Sequence, residues 1–243
     1  MSKIAANISR VRGEIQRATA AAGRNANAVM LLAVSKGQPA AALIAAHDAG
    51  LHHFGESYLQ EALPKIAKLH GLGLTWHFLG PVQSNKTRRI AENFSWLHSL
   101  DRLDIAERLA RQRPTDLPPL EVCLQVNIDC EATKSGVDPD ALEALALAVV
   151  TLPGIRLRGL MAIPHPYNTV AEQRESFRRL ARLLESLRRT SPDLAGLDTL
   201  SMGMSADLGA AIAEGATIVR VGQAIFGPRP THPRQETPCT TAD

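Results

Sequence analysis

A lysine that closes an apolar run is the first residue of this sequence whose type and place could do chemistry. Residues 30–36 read MLLAVSK, so a β-prone stretch leads straight into Lys36. A lysine held partly out of water at a strand end has its pKa depressed, and the neutral amine can attack an aldehyde carbon. The plain alternative is a lysine whose stem lies along the strand end while its head reaches solvent. Two later segments bear on that choice. Residues 200–205, LSMGMS, end an apolar run in small and hydroxyl side chains, and residues 219–224, VRVGQA, end another in a glycine. Both are suited to cradle a phosphate on backbone N–H groups at a helix start, although each alone reads as an ordinary turn or cap.

The elements that must position these residues can be traced along the chain. Eight β-prone runs occur at 29–34, 52–55, 75–79, 96–100, 122–128, 157–163, 199–202 and 217–221. Helix-length patterns fill most gaps, at 39–49, 59–69, 85–93, 102–113, 138–152, 170–189 and 206–214. Strict alternation implies parallel strands with right-handed crossovers, and eight units suit a closed (β/α)8 TIM-type barrel better than an open doubly wound sheet. An open seven-strand count stays available, because the second and fourth runs are short and carry His52, His53 and His98. In a closed barrel the first strand neighbours the eighth, and barrels often bind phosphate after strands seven and eight. An aldehyde-reactive lysine beside a phosphate cradle is the arrangement that pyridoxal 5'-phosphate needs.

Bulk properties narrow the function classes. The 243 residues, 45% of them hydrophobic, are enough for one barrel domain, expected over 1–230 with a flexible tail at 231–243. A net charge of +3 with 4% aromatic residues leaves little equipment for nucleic acid. The segment from Met1 to Gly23 alternates at helical spacing and reads as an extra N-terminal helix, not a targeting peptide. The longest strongly apolar run, 141–152, is broken by Glu143 and stopped by Pro153 and Gly154, too short for a membrane span. Cys123, Cys130 and Cys239 are odd in number and lack zinc spacing, which points to a reducing cytoplasm and no metal site.

Seven segments carry a resemblance: AVSK (33–36), HFGESYLQE (53–61), WHFLGPVQSNKTR (76–88), KSGV (134–137), GLMAIP (159–164), LSMGMS (200–205) and VRVGQAIFG (219–227). Together they resemble the pyridoxal phosphate homeostasis protein family, whose fold is similar to the barrel domain of alanine racemase. The resemblance implies that Lys36 is the Schiff-base lysine, that Ser201 with the backbone at Gly222 and Gln223 holds the phosphate, and that Arg220 faces the pyridine nitrogen. A guanidinium only donates, so Arg220 there would keep the ring nitrogen unprotonated and the ring a weak electron sink. The alternative for Arg220 is a surface or ion-paired arginine on the last strand. Asn85 and Met202 are further candidates for the cofactor site, as is Lys134, at which the resemblance suggests the cofactor is held or relayed. Their plainer readings are a helix cap, a core methionine and a solvated loop lysine. His77, between Trp76 and Phe78, reads as a hydrogen-bonded core histidine.

Three positions depart from the family pattern: Ser57 for asparagine, Gln38 for a second lysine, and Ala206 for an acidic residue. Gln38 bears on any relay from Lys36 to a neighbouring lysine. The function expected is a monomeric, non-catalytic carrier that holds pyridoxal phosphate reversibly as an aldimine, serves cofactor and amino-acid homeostasis, and supplies apo-enzymes. One alternative is an amino-acid racemase, which needs an acid–base group on each face of the substrate carbon. The sequence offers only Tyr58 and Tyr167 as tyrosines and is expected to lack the additional domain that supplies one in alanine racemases. The other alternative is a cofactor-free lysine Schiff-base aldolase acting on a phosphorylated sugar.

Overall fold

Period-two runs of apolar residues that face a helix on one side and a shared interior on the other have one economical arrangement, a sheet closed on itself. The computed structural model describes residues 2–131 and 133–228 and has that form. Helix α1 (Lys3–Ala21) precedes the alternation β1 (Met30–Val34), α2 (Ala40–Asp48), β2 (His53–Glu56), α3 (Leu59–Lys68), β3 (Thr75–Phe78), α4 (Thr87–Asn93), β4 (Trp96–Leu100), α5 (Leu103–Gln112) and β5 (Leu120–Gln125). It continues through α6 (Leu142–Val150), β6 (Ile155–Met161), α7 (Val170–Thr190), β7 (Thr199–Ser201), α8 (Leu208–Ala213), β8 (Ile218–Val221) and α9 (Gln223–Phe226). The strands pair in chain order and close, β1 lying parallel to both β2 and β8. The eight-strand reading stands, and the short second and fourth runs are both barrel strands. Strands β5 and β6 each begin two residues earlier than the apolar runs suggested, because Leu120 pairs with Ile155 ahead of them. The expected tail at 231–243 lies outside the described residues.

Local rules explain the elements that frame the site. Ser2 caps α1 by accepting from the Ala5 amide at 3.2 Å, and Ile8, Val11 and Ile15 recur at helical spacing on its buried face. That face packs on α8 and α9, so the N-terminal helix braces the end of the chain that follows β8. Helix α7 opens with a capping box between Thr169 and Glu172 and buries Phe177, Leu180, Leu184 and Leu187. One core lies between strands and helices, while a smaller cluster of Leu32, Trp96, Cys123, Met161 and Ile218 fills the barrel interior. At the strand starts Arg158 bridges Glu121 and Asp198 and stacks over Trp96 at 5.1 Å, closing that end. No helix among the described residues is long and apolar enough to cross a membrane. Burial pushes the Cys123 thiol up to about 12, which leaves it inert as a nucleophile.

Candidate functional site

Catalytic and binding residues of parallel barrels gather beyond the C-terminal ends of the strands, and here the ends of β1 and β8 define a cavity. Its volume is about 430 Å³, and Val34, Lys36, Gln38, Gly222, Gln223, Gly227 and Pro228 line it. Leu32 pairs with Arg220 and Ala33 with Val221, so Val34 comes level with Gly222. A β-carbon on Gly222 would lie 3.0 Å from the Val34 carbonyl oxygen; glycine is what lets the two backbones approach this closely. Helix α9 starts at the next residue, and its Ile225 and Phe226 amides donate to the Gly222 carbonyl at 2.9 and 3.0 Å.

Lys36 is held from both sides. The Ser35 hydroxyl donates to Glu56 Oε1 at 2.6 Å, and the Gly37 amide donates to Glu61 Oε2 at 2.7 Å. Lys65, reaching over from α3, donates to Glu56 Oε1 at 2.8 Å and to the Ser35 carbonyl at 3.0 Å. Glu56 is fully buried, and burial pushes its carboxyl above the ordinary range even though the Lys65 and Ser35 hydrogen bonds pull the other way. Among the described residues its Oε2 has no hydrogen-bond partner, which makes the Lys65 charge the main compensation for a carboxylate out of water. Strand alternation sends Ser35 and Glu56 outward toward α3 and leaves Lys36 at the mouth.

The remaining predicted residues divide. Gly222 and Gln223 line the Lys36 cavity. Ser201 is fully buried, with its Oγ 2.7 Å from His98 Nδ1 and accepting from Arg220 Nη1 at 2.9 Å, so its side chain stands inside the barrel behind the cavity wall. Met202 is fully buried in the core, the plainer of its two readings. The loop that follows turns at Gly203, whose φ of +92° favours glycine, and the Met204 amide donates to Asp207 Oδ1 at 2.5 Å. Arg220 is neither a surface nor an ion-paired arginine: it is 6% exposed and donates to the carbonyls of Ser201 and Ala162, and among the described residues no carboxylate forms an ion pair with it. Burial lowers its pKa to about 10, so it remains a cation at neutral pH. Asn85 is exposed in the turn before α4, and the helix has no side-chain cap there. Lys134 belongs to a different cavity of about 240 Å³, lined also by Leu79, Pro81, Gln125 and Asn127, and pairs with Glu131 at 2.5 Å.

Two features escaped the residue-by-residue reading. The Glu56 and Lys65 pair joins a strand end to a helix nine residues on, and only the register of β1 with β2 reveals that it flanks Lys36. The second is a file of histidines: His53, His77 and His98 lie on three consecutive strands, each two residues further along than the partner of the one before, since His53 pairs with Thr75 and His77 with Trp96. Their recurrence at alternating strand positions was a usable signal, although the sequence treated His77 alone and counted the others against their strands.

Comparison with known proteins agrees with this architecture. Residues 2–230 match the model of the alanine racemase N-terminal domain family. The pyridoxal phosphate homeostasis protein of Pseudomonas aeruginosa is 61% identical over 229 residues, covering 94% of this chain and 97% of that one. The homologue of the same description in Escherichia coli K12 is 50% identical over 232 residues, covering 94% of this chain and 98% of that one. The structure of PipY from Synechococcus elongatus with pyridoxal phosphate bound superposes with a TM-score of 0.82 at 40% identity, covering 93% of this chain and all of that one (100%). Alanine racemase of Corynebacterium glutamicum shares the fold at a TM-score of 0.68 and 19% identity, this chain spanning 61% of it. With a family model over nearly its whole described length and homologues at half identity or more end to end, the chain belongs to the pyridoxal phosphate homeostasis protein family.

Proposed function

We propose that the chain binds pyridoxal 5'-phosphate covalently and reversibly on Lys36 and serves as a non-catalytic carrier in cofactor and amino-acid homeostasis. The observation that carries this reading is the cavity itself. It brings one lysine, flanked by two pinned residues, opposite a glycine backbone edge where a β-carbon would crowd the Val34 carbonyl at 3.0 Å. Its volume is adequate for a ligand of this size. The buried Arg220 guanidinium, with donors left over and no carboxylate ion-paired to it among the described residues, fits a ring carrying a lone pair. The residues present therefore fit the group, which when bound supplies an electrophilic aldehyde carbon and a phosphate handle.

In this reading Lys36 would supply the amine for reversible condensation with the aldehyde carbon, water being released on binding and consumed on release. Gly222 and Gln223 hold the phosphate on backbone amides. Arg220, anchored by the Ser201 hydroxyl and two carbonyls, would donate toward the ring nitrogen and so leave it unprotonated, which would weaken the ring as an electron sink. Ser201 contributes from behind the wall, through Arg220. Gln38 lines the cavity where a second amine would offer a relay, so release goes to water or to an incoming amine. Asn85, Met202 and Lys134 take no direct part.

The racemase alternative needs a second proton-transfer group facing the lysine. Neither Tyr58, 53% exposed at the start of α3, nor Tyr167, whose ring packs on His165, lines the cavity. We place the carrier in the cytoplasm as a monomer, with apo-enzymes as recipients. The test is reconstitution of the full chain with pyridoxal phosphate, followed by assays for racemisation of L- and D-alanine. A visible absorption band without turnover supports the carrier. Sustained racemisation that is lost with Lys36→Ala would establish the racemase instead, and a colourless protein that takes up no cofactor would bring forward the aldolase.

A further inference from the structure

The barrel interior is mostly apolar, yet one line of polar groups crosses it. His53 Nδ1 lies 3.0 Å from His77 Nε2, and His77 Nδ1 lies 2.9 Å from His98 Nε2. His98 Nδ1 lies 2.7 Å from Ser201 Oγ, a contact that spans the lumen from β4 to β7. Ser201 Oγ accepts from Arg220 Nη1 at 2.9 Å. The line thus runs from a cavity of about 330 Å³ at the strand starts, which His53 lines, to the guanidinium behind the Lys36 cavity.

Hydrogen-bond valence restricts how protons can sit on this line. His77 and His98 are fully buried and neutral: burial holds His77 well below its usual range, with His98 and His53 adding to it, and lowers His98 to about 3, with the Arg220 charge adding to it. A neutral imidazole has one N–H and one lone pair, so every contact must join a donor to an acceptor. The three rings therefore carry their protons at the same position, all on Nε2 or all on Nδ1. Arg220 can only donate, so it always takes one lone pair of Ser201. With protons on Nδ1, His98 also donates to Ser201, and the serine hydrogen needs a further acceptor; among the described residues Ser201 has none. With protons on Nε2, Ser201 donates to His98, His98 to His77 and His77 to His53, and the last N–H points to the cavity at the strand starts, where water reaches it. Leaving a buried hydroxyl unsatisfied is the costlier arrangement. Burial, with His52 adding to it, lowers the His53 pKa and disfavours a charge on it.

We propose that His98, backed by His77 and His53, is a positioning residue for Arg220: the file holds its protons on Nε2, so Ser201 gives its hydrogen inward and turns its lone pairs to the guanidinium. The consequence at the cofactor rests on Arg220 facing the ring, as proposed above; the proton arrangement does not. Two-bond proton–nitrogen correlation spectra of the cofactor-free full chain, labelled with 15N-histidine, read the tautomers directly at mildly alkaline pH. The expected result is the Nε2–H pattern at all three residues. A mixed set, an Nδ1–H set, or a charged ring at His77 or His98 overturns the proposal.

A second measurement reads the consequence. His77→Phe keeps the ring that stacks on Trp96, but cuts both hydrogen bonds, whereas His77→Gln retains a donor and an acceptor. In the cofactor-loaded protein, His77→Phe is expected to move the titration midpoint of the visible band by ~0.5–1 pH unit, and His77→Gln to restore it. An unmoved midpoint in a folded His77→Phe protein overturns the positioning role. Failure of the wild type to take up cofactor would sink the proposed function and leave the tautomer spectra to decide the file.

Discussion

Two lysines follow apolar strands at the mouth of this barrel, and their surroundings differ. Lys36, after β1, faces a glycine backbone edge, has both chain neighbours pinned, and has a buried guanidinium behind the wall. Lys134, after β5, closes on Glu131 and is about one-third exposed. The difference teaches that a strand end does not by itself set the surroundings of the lysine that follows it. At β1 Glu56 accepts from Ser35 and Lys65 while Glu61 accepts from the Gly37 amide; at β5 Glu131 pairs with Lys134.

The strongest way to break this contrast is at the support. Lys65→Met leaves the Glu56 carboxylate buried without its cation and is expected to cost about 3–5 kcal/mol, whereas Lys134→Met removes a part-exposed pair and should cost ~0–1 kcal/mol. Urea unfolding of the two variants checks this, and adding Glu56→Gln to Lys65→Met should recover most of the loss. Next comes the backbone edge. Gly222→Ala drives a β-carbon against the Val34 carbonyl and should cost ~1–3 kcal/mol, with a matching fall in cofactor affinity by spectroscopic titration.

The smallest effect is a pH slope. Because the Glu56 carboxyl titrates above its unfolded value of about 4.3, the folded state binds that proton more tightly, and its contribution is fully present at low pH and lost as pH rises through the raised value. Thermal melts across the acid-to-neutral range should therefore show wild type losing ground to Glu56→Gln as pH rises. A parallel pair of curves would mean that Glu56 is not held as described.

Most of the barrel was legible because alternation of short β-prone runs and helical patterns is a local signal repeated eight times. Lys36, Gly222 and Gln223 were legible as strand-end residues on strands that closure makes neighbours. The surroundings of Ser201 were not legible because period two, read from one strand, does not tell which face is the lumen; the cross-barrel contact with His98 does. The Glu56 and Lys65 support and the histidine file depend on register between strands and helices far apart in sequence, and no single segment carries them.

The central claim is that Lys36, and no other lysine of the mouth, holds the cofactor. Borohydride reduction of the protein reconstituted with pyridoxal phosphate, followed by peptide mass analysis, tests it in wild type, Lys36→Ala and Lys134→Ala. The pyridoxyl mass should appear on the peptide containing Lys36 in wild type and Lys134→Ala and vanish, with the visible band, in Lys36→Ala. A label on Lys65, Lys86 or Lys134 in the wild type, or a full label persisting in Lys36→Ala, would contradict the account.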